Sequence, residues 1–304
     1  MSVFTLTPRG PFSLSASVRF LEGFAPARYR GGAAGEGLGQ PLRLAFPVEG
    51  DWRTAGVSVT QRDDGTVVTT CEKPCPPGVR EQLARILSLD IDGSGFAAVG
   101  ERDPVVARLA ERYPGLRPVC FHSPYEAACW AVIGHRIRII QAAGIKERIA
   151  RDHGERRLVN GVELFAFPGP EALLAALDGI DLPPVKLERL RGIATAALDG
   201  RLEAARLRNM AEPDAQAELQ RLDGVGPFSS ELILVRGAGA PDVFPATERR
   251  LRESMVELYD LADASPQRLA EVAARWSPYR SWVGVLIRTY REDTTGEIGG
   301  QQSP

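Results

Sequence analysis

Residues 219–251 read LQRLDGVGPFSSELILVRGAGAPDVFPATERRL. Leu219 and Leu222 close an apolar helical pattern, and Gly224-Val225-Gly226 follows as a very tight turn. Two glycines allow positive φ and close backbone approach. Pro227 suits a first helical position, and Ser229, Ser230 and Glu231 suit a first turn. Leu232, Ile233 and Val235 supply the buried stripe of a second helix that stops at Gly237. The spacing therefore predicts helix, glycine hairpin, helix. Amides around Gly224, Val225, Gly226 and Ser229 would stand at a helix N-terminus, where free N–H groups and the dipole favour an anion such as a phosphate. Thr247 can then cap a further helix and place Glu248 in its first turn, where the dipole favours a carboxylate.

The rest of the chain sets the frame. With 304 residues, 44% of them hydrophobic and 25% charged, it has the composition of one large or two smaller globular units. No apolar run is long enough to span a membrane and no secretory signal opens the chain, so a cytoplasmic location and no membrane partner are expected. The net charge of −2 argues against a non-specific nucleic-acid coat but permits a local basic face. Two stretches could supply one: Arg136 to Arg157, and Lys186 to Arg208. The commoner meaning of such runs is a solvated helix face. Cys71, Cys75, Cys120 and Cys129 do not read as a disulfide framework in a chain this long.

Residues 1–99 read as mixed α/β. Phe12 to Phe20 alternates like a strand, as does Leu42 to Val48. Val57 and Val59 lead to Asp63-Asp64-Gly65, a hairpin signal, and Thr66 to Thr70 returns. Gly31 to Gly39 is a glycine-rich loop without the lysine and serine of a nucleotide-binding loop. Helix follows over Pro77 to Leu89. From residue 100 the pattern is helical: Pro104 to Tyr113, then a long helix from Ser123, with Glu126 completing a capping box and a break near Gly134. Pro170 to Leu177, Pro184 to Leu198, Pro213 to Leu222, Thr247 to Tyr259, Ser265 to Trp276 and Pro278 to Tyr290 complete the set. Residues 293–304 read as a disordered tail.

The glycine hairpin, its distance to Asp242-Val243-Phe244-Pro245, and the segments Ile133-Gly134-His135, Glu188-Arg189-Leu190-Arg191-Gly192 and Trp276-Ser277-Pro278-Tyr279-Arg280-Ser281-Trp282 together carry a resemblance. The chain is similar to the helix-hairpin-helix DNA glycosylase superfamily, and within it to DNA-3-methyladenine glycosylase II. That resemblance implies an α+β fold, with an antiparallel-sheet accessory domain over 1–99 and an all-helical glycosylase domain over 100–292. It implies a monomer bound to double-stranded DNA containing a damaged base, in the bacterial nucleoid. Base excision repair requires the damaged, commonly alkylated, base to be flipped out and its N-glycosidic bond hydrolysed.

Site residues carry over position by position. The family's catalytic aspartate falls on Glu248, one methylene longer. The wedge that fills the vacated stack falls on His135 and Arg136: the family has Gly-Gln and then a wedge residue, often leucine or glutamine, where this chain has Gly134-His135 and then Arg136. The base pocket falls on Phe228, Leu232 and Arg288, with Trp130, Tyr125 or Trp282 as further aromatics. A cation at Arg288, pointing inward, would repel a cationic base where the family offers an attractive π-face. The lyases of the superfamily carry a lysine in the second hairpin helix; Pro227 to Arg236 has none, so a monofunctional enzyme using water is expected. Relatives with an iron–sulfur cluster place its four cysteines after the catalytic region. This chain has no cysteine beyond Cys129, so no cluster is expected, while a monovalent cation could sit at the hairpin. The alternative is a non-catalytic DNA-damage-binding protein on the same scaffold, or a helical scaffold with no DNA role.

Overall fold

A computed structural model describes residues 1–27 and 41–296. The glycine-rich stretch Gly31 to Gly39 lies outside the described residues, as does the tail beyond residue 296. The N-terminal part holds a four-stranded antiparallel sheet in the order β1 (Ser2–Leu6), β4 (Val67–Cys71), β3 (Thr54–Gln61), β2 (Leu42–Pro47). The hairpin expected at Asp63-Asp64-Gly65 joins β3 to β4, with Val59 opposite Thr69. One face of the sheet is covered by α1 (Leu14–Gly23) and α2 (Val79–Ile86), around Phe46, Val57, Val59 and Leu83.

Phe12 to Phe20, expected as a strand, forms helix α1. Ser13 caps it by accepting from Ala16 N, and among its buried residues Leu14, Ser17 and Leu21 follow helical spacing, with Ala16 buried beside them. The alternation of apolar residues lost to a cap and to the burial of Leu21.

After the sheet the chain is mostly helical: α3 (Ala97–Arg102), α4 (Pro104–Arg112), α5 (Pro124–Gly134), α6 (Ile139–His153), α7 (Pro170–Ala176), α8 (Pro184–Leu198) and α9 (Ala204–Asn209). There follow α10 (Glu212–Gln220), α11 (Pro227–Leu232), α12 (Arg249–Leu258), α13 (Pro266–Ala274) and α14 (Arg280–Thr295). This part is not all-helical. Arg156–Val159 and Val162–Phe165 form a two-stranded hairpin, β5 and β6, turning at Asn160-Gly161, both with positive φ. Asn-Gly is the dipeptide that favours such a turn. The hairpin docks on β3: Asn160 Nδ2 donates to Ser58 Oγ at 2.7 Å, and Arg157 donates to Thr54 O. α14 continues through Thr295, past the expected limit at 292.

Two helical cores flank a cleft. One gathers α5, α8 and the end of the second hairpin helix around Ile133, Leu190 and Ile233. The other gathers α4, α12, α13 and α14 around Val106, Leu251, Trp276 and Val283. Arg85 ties the sheet to the first core: its buried guanidinium donates to the carbonyls of Phe121, His122 and Gly237 and pairs with Glu49. Among the described residues no helix is long and apolar enough to cross a membrane. The four cysteines form no disulfide framework, but Cys71 and Cys75, four residues apart, are joined to each other, and Cys120 and Cys129 are buried thiols.

Candidate active site

The glycine turn links α10 to α11 as expected. Val225 N donates to Leu222 O at 2.9 Å and closes it. Only Gly224 needs positive φ, at 86°; a Cβ there would also lie 2.6 Å from Cδ of Arg189. Gly226 has φ −96° and ψ −172°, open to any residue, and a Cβ on it would meet nothing within 4 Å. Gly224 is thus required by its conformation, while nothing within the protein requires a glycine at 226. Ser230 N, bonded to Gly226 O at 2.9 Å, is the first amide of α11 to find a helical carbonyl, so those of Phe228 and Ser229 precede the ladder. A shallow concavity of about 420 Å³ lies over Gly224 to Ser229, with His135 on its rim.

α11 does not stop at Gly237. It passes into a π-helical turn over Ile233–Ala238 and ends at Gly239 in the left-handed region. Gly237 is where this helix crosses the start of α5. A Cβ on it would stand 2.8 Å from Cα of Pro124 and 3.0 Å from Cβ of Ala127.

α5 breaks where expected. Ser123 caps its start by accepting from Glu126 N at 3.0 Å. The Glu126 carboxylate does not complete a capping box; it is buried against Lys146 at 2.6 Å and His122 at 3.0 Å. Burial alone would raise the Glu126 carboxyl, but Lys146 and His122 outweigh it and hold it well below its ordinary range. At the other end, Lys186 Nζ donates to Ile133 O at 2.7 Å and to His135 O at 2.9 Å. Lys186 thereby fixes the last turn of α5. Burial, then Arg189, lowers its ammonium from the usual lysine range. His135 is half-buried and its imidazole is lowered too, by burial and then by Arg189, Lys186 and Arg136. Arg136 sits exposed at the tip of the break with φ 57°.

Many members of the two basic stretches are committed to partners within the protein, some of them, such as Arg156, at its surface. Besides Lys146, Lys186 and Arg157, Arg156 pairs with Glu163, Arg201 with Glu218, and Arg208 with Asp90. Arg136 and Arg138 remain as exposed cations at the break.

A cleft of about 750 Å³ opens between the two helical cores. Its walls come from the end of α1, the break after α5, the second hairpin helix, the start of α12 and α14. Glu248 lies in it. Glu248 is itself the N-cap of α12, a role expected of Thr247; its carboxylate accepts from the amides of Arg250 and Leu251. Thr247 turns the other way, giving its N–H at 3.0 Å and its hydroxyl at 2.6 Å to Glu231 of α11. Burial raises the Glu231 carboxyl, and the two bonds from Thr247 work against that rise. Glu231 so ties the 245–248 segment to the hairpin helix.

The Asp242-Val243-Phe244-Pro245 segment is held from behind by the motif 276–282. Asp242 accepts from Arg280 Nε at 2.9 Å and Ser277 Oγ at 2.8 Å. Ser281 Oγ takes Val243 N at 3.0 Å. Trp276 Nε1 donates to Asp103, which caps α4. These bonds anchor the segment that leads into Glu248 to the start of α14.

Arg288, on α14, points inward. Its Nε lies 3.1 Å from Oε2 of Glu248, with about a fifth of each side chain exposed. Burial lowers the Arg288 guanidinium from its ordinary range, and Glu248 counters that in part. Leu232, Trp130 and Phe228 line the same cleft, with Phe228 48% exposed at its lip. Tyr125, expected at the pocket, is buried away from it, with its hydroxyl on Pro168 O at 3.0 Å and its ring against Trp52. Trp282 likewise packs in the core on Tyr279. The sequence reading overlooked three cleft residues. Phe20 and Phe24 of the α1 region were hidden by its reading as a strand. Arg236 lies buried with its guanidinium 4.8 Å and 4.4 Å from their ring centroids.

No protein-family model matches the chain. A DNA-3-methyladenine glycosylase of Bacillus subtilis is 26% identical over 220 residues, covering 69% of this chain and 72% of that protein. A 3-methyladenine DNA glycosylase from Archaeoglobus fulgidus superposes with a TM-score of 0.77 at 22% identity, over 96% of this chain and 99% of that one. An 8-oxoguanine glycosylase/lyase of Clostridium acetobutylicum, solved with double-stranded DNA, superposes with a TM-score of 0.60 at 18% identity, over 81% and 87%. The two structural likenesses establish the fold.

Proposed function

We propose that this chain, a member of the helix-hairpin-helix DNA glycosylase superfamily, is a monofunctional DNA N-glycosylase of base excision repair. The observation that carries the reading is Glu248, fixed at the head of α12 inside a cleft of about 750 Å³ that is also lined by Phe228 and Ser229, the residues just after the glycine hairpin. The hairpin amides take a phosphate of the duplex; a monovalent cation, were one bound there, would be held by backbone carbonyls of the turn and would add positive charge beside that phosphate. Arg136, at the tip of the break, enters the stack beside the flipped nucleotide, with His135 beneath it. The damaged base enters the cleft between Phe228, Leu232 and Trp130.

There the C1′–N bond breaks and its electron pair leaves with the base. The Glu248 carboxylate stabilises the positive charge that grows on the sugar. Water adds to C1′ and its proton passes to Glu248, leaving an abasic site and a free base. Water is the nucleophile because no amine reaches the cleft. The chain has three lysines, Lys73, Lys146 and Lys186, and none lines it. The relatives' names point to alkylated bases. A non-catalytic damage-binding role is not favoured: the relatives are named as glycosylases, and the cleft holds a carboxylate at the position where the resemblance expects the catalytic aspartate. The test is release of free base, with alkali-labile abasic sites, from duplexes that each carry one of a panel of lesions. A protein that binds such duplexes and releases none would remove the catalytic reading.

A further inference from the structure

We propose that Arg288 is a specificity-determining residue that turns the cleft toward neutral modified purines and against bases carrying a formal positive charge. The inference rests on the glycosylase reading above. A cationic base leaves readily but brings its charge into the pocket. A neutral base brings none, yet leaves as an anion unless a donor or a proton meets it.

Two independent features set this cleft against a cation. The first is Arg288 itself. It stands 3.1 Å from the carboxylate that must face the sugar, so a base bound at the reacting position lies close to a guanidinium. Its Nη1 is buried with no hydrogen-bond partner among the described residues. Arg250 and Arg291 add positive charge around it, while Glu248 and Glu292 oppose it. The second is Arg236. An electron-poor base is normally held by aromatic faces. The rings of Phe20 and Phe24, the aromatic wall contributed by α1, already hold the Arg236 guanidinium at 4.8 Å and 4.4 Å. Arg236 is pinned there by a 2.6 Å bond from Nη2 to Val119 O. One aromatic wall of the cleft thus already holds a cation, and Glu248 already faces the guanidinium of Arg288.

The same arginine has a use for a neutral base. When the C1′–N bond breaks, electron density moves onto the base, and Arg288 can donate an N–H to a ring nitrogen or carbonyl oxygen there. It is a donor that keeps its proton, so the leaving base takes its own proton from water afterwards.

The experiment uses the full-length chain and three duplexes of one sequence, carrying hypoxanthine, 1,N6-ethenoadenine or N7-methylguanine. Single-turnover release is divided by spontaneous release, since cationic bases depart unaided. Affinities are measured in parallel on the 2′-fluoro forms of the same nucleotides, which resist cleavage. Wild type should give larger enhancement and tighter binding for the two neutral bases. Arg288→Gln should move the neutral-to-cationic ratio at least about tenfold toward N7-methylguanine, the size expected of one unit charge a few ångströms away in a partly buried site. Arg288→Lys keeps the charge and should keep the wild-type ratio. An unchanged ratio in Arg288→Gln overturns the proposal, as does an equal shift in both variants, which would mean that shape and not charge is at work. If no protein releases any base, the glycosylase reading falls, and the 2′-fluoro affinity ratios still decide the role of Arg288.

Discussion

Gly226→Glu tests the phosphate role of the hairpin without disturbing the hairpin. Gly226 has φ −96°, and a side chain there would point into space with nothing within 4 Å, so the fold should tolerate it. Gly224→Ala is the contrasting variant. It forces a Cβ onto φ 86° and to within 2.6 Å of Arg189, so it should lower stability by about 1–2 kcal/mol or more. A phosphate held by the turn would lie roughly 5 Å from the new carboxylate. Two like charges at that distance repel by about 0.8 kcal/mol in bulk water and about 3 kcal/mol at an effective dielectric of about 20. Duplex affinity should therefore fall roughly 4- to 150-fold. The loss should shrink in higher salt, because exposed charges are screened. Fluorescence anisotropy with a labelled duplex at about 50 mM and about 200 mM salt reads both effects, and Gly226→Ala serves as the control for size. Binding by Gly226→Glu within twofold of wild type at the lower salt, with circular dichroism intact, would refute the assignment of a phosphate to this turn.

Two further predictions concern the broken helix. Arg136→Ala should weaken binding to a duplex with an abasic site roughly 5- to 100-fold, the worth of one stacking contact, and binding to an intact duplex far less; equal losses in a competition assay would make Arg136 an ordinary phosphate contact. Glu126 has its carboxyl held well below its ordinary value of 4.5 by Lys146 and His122 despite burial, so its contribution to stability is present at pH 4.5 and above and is lost as the pH falls toward the folded value. Lys146→Met should cost about 3 kcal/mol near pH 7 by leaving a buried carboxylate short of a partner, and the cost should shrink as the pH is lowered through 4.5, read from urea midpoints across pH.

The parts of the site that depend on local backbone chemistry were legible in the sequence. The Gly224 turn, the proline at the start of α11, the break at Gly134 and the hairpin at Asp63-Asp64-Gly65 each follow from one or two residues with narrow conformational ranges. What was not legible depends on where side chains end. Phe12 to Phe20 alternates perfectly, and only the Ser13 cap and the burial of Leu21 make it a helix; with that misreading went Phe20 and Phe24, one wall of the cleft. The Asn160-Gly161 hairpin carried a strong local signal that the basic character of its flanks concealed. Thr247 and Glu248 are both competent caps, and the choice between them was made by Glu231, sixteen residues earlier, which takes the threonine. Charge counts misled because Lys146, Lys186 and Arg157 reach inward to carbonyls and carboxylates. The pairing of Arg288 with Glu248 joins α14 to the start of α12, and no spacing rule predicts such a pair.

The central claim is that Glu248 acts on the sugar as the glycosidic bond breaks, and Glu248→Gln addresses it most directly. Glutamine keeps the length and an oxygen for the helix-start amides but removes the charge that Arg288 and the developing sugar cation both meet. Because the change also leaves Arg288 without its partner, circular dichroism and duplex binding must first show the variant folded. On a lesion that wild type releases, single-turnover base release by Glu248→Gln should then fall at least roughly 10²-fold, with lesion-duplex affinity unchanged or tighter. Equal rates of release by the folded variant and wild type would contradict the account.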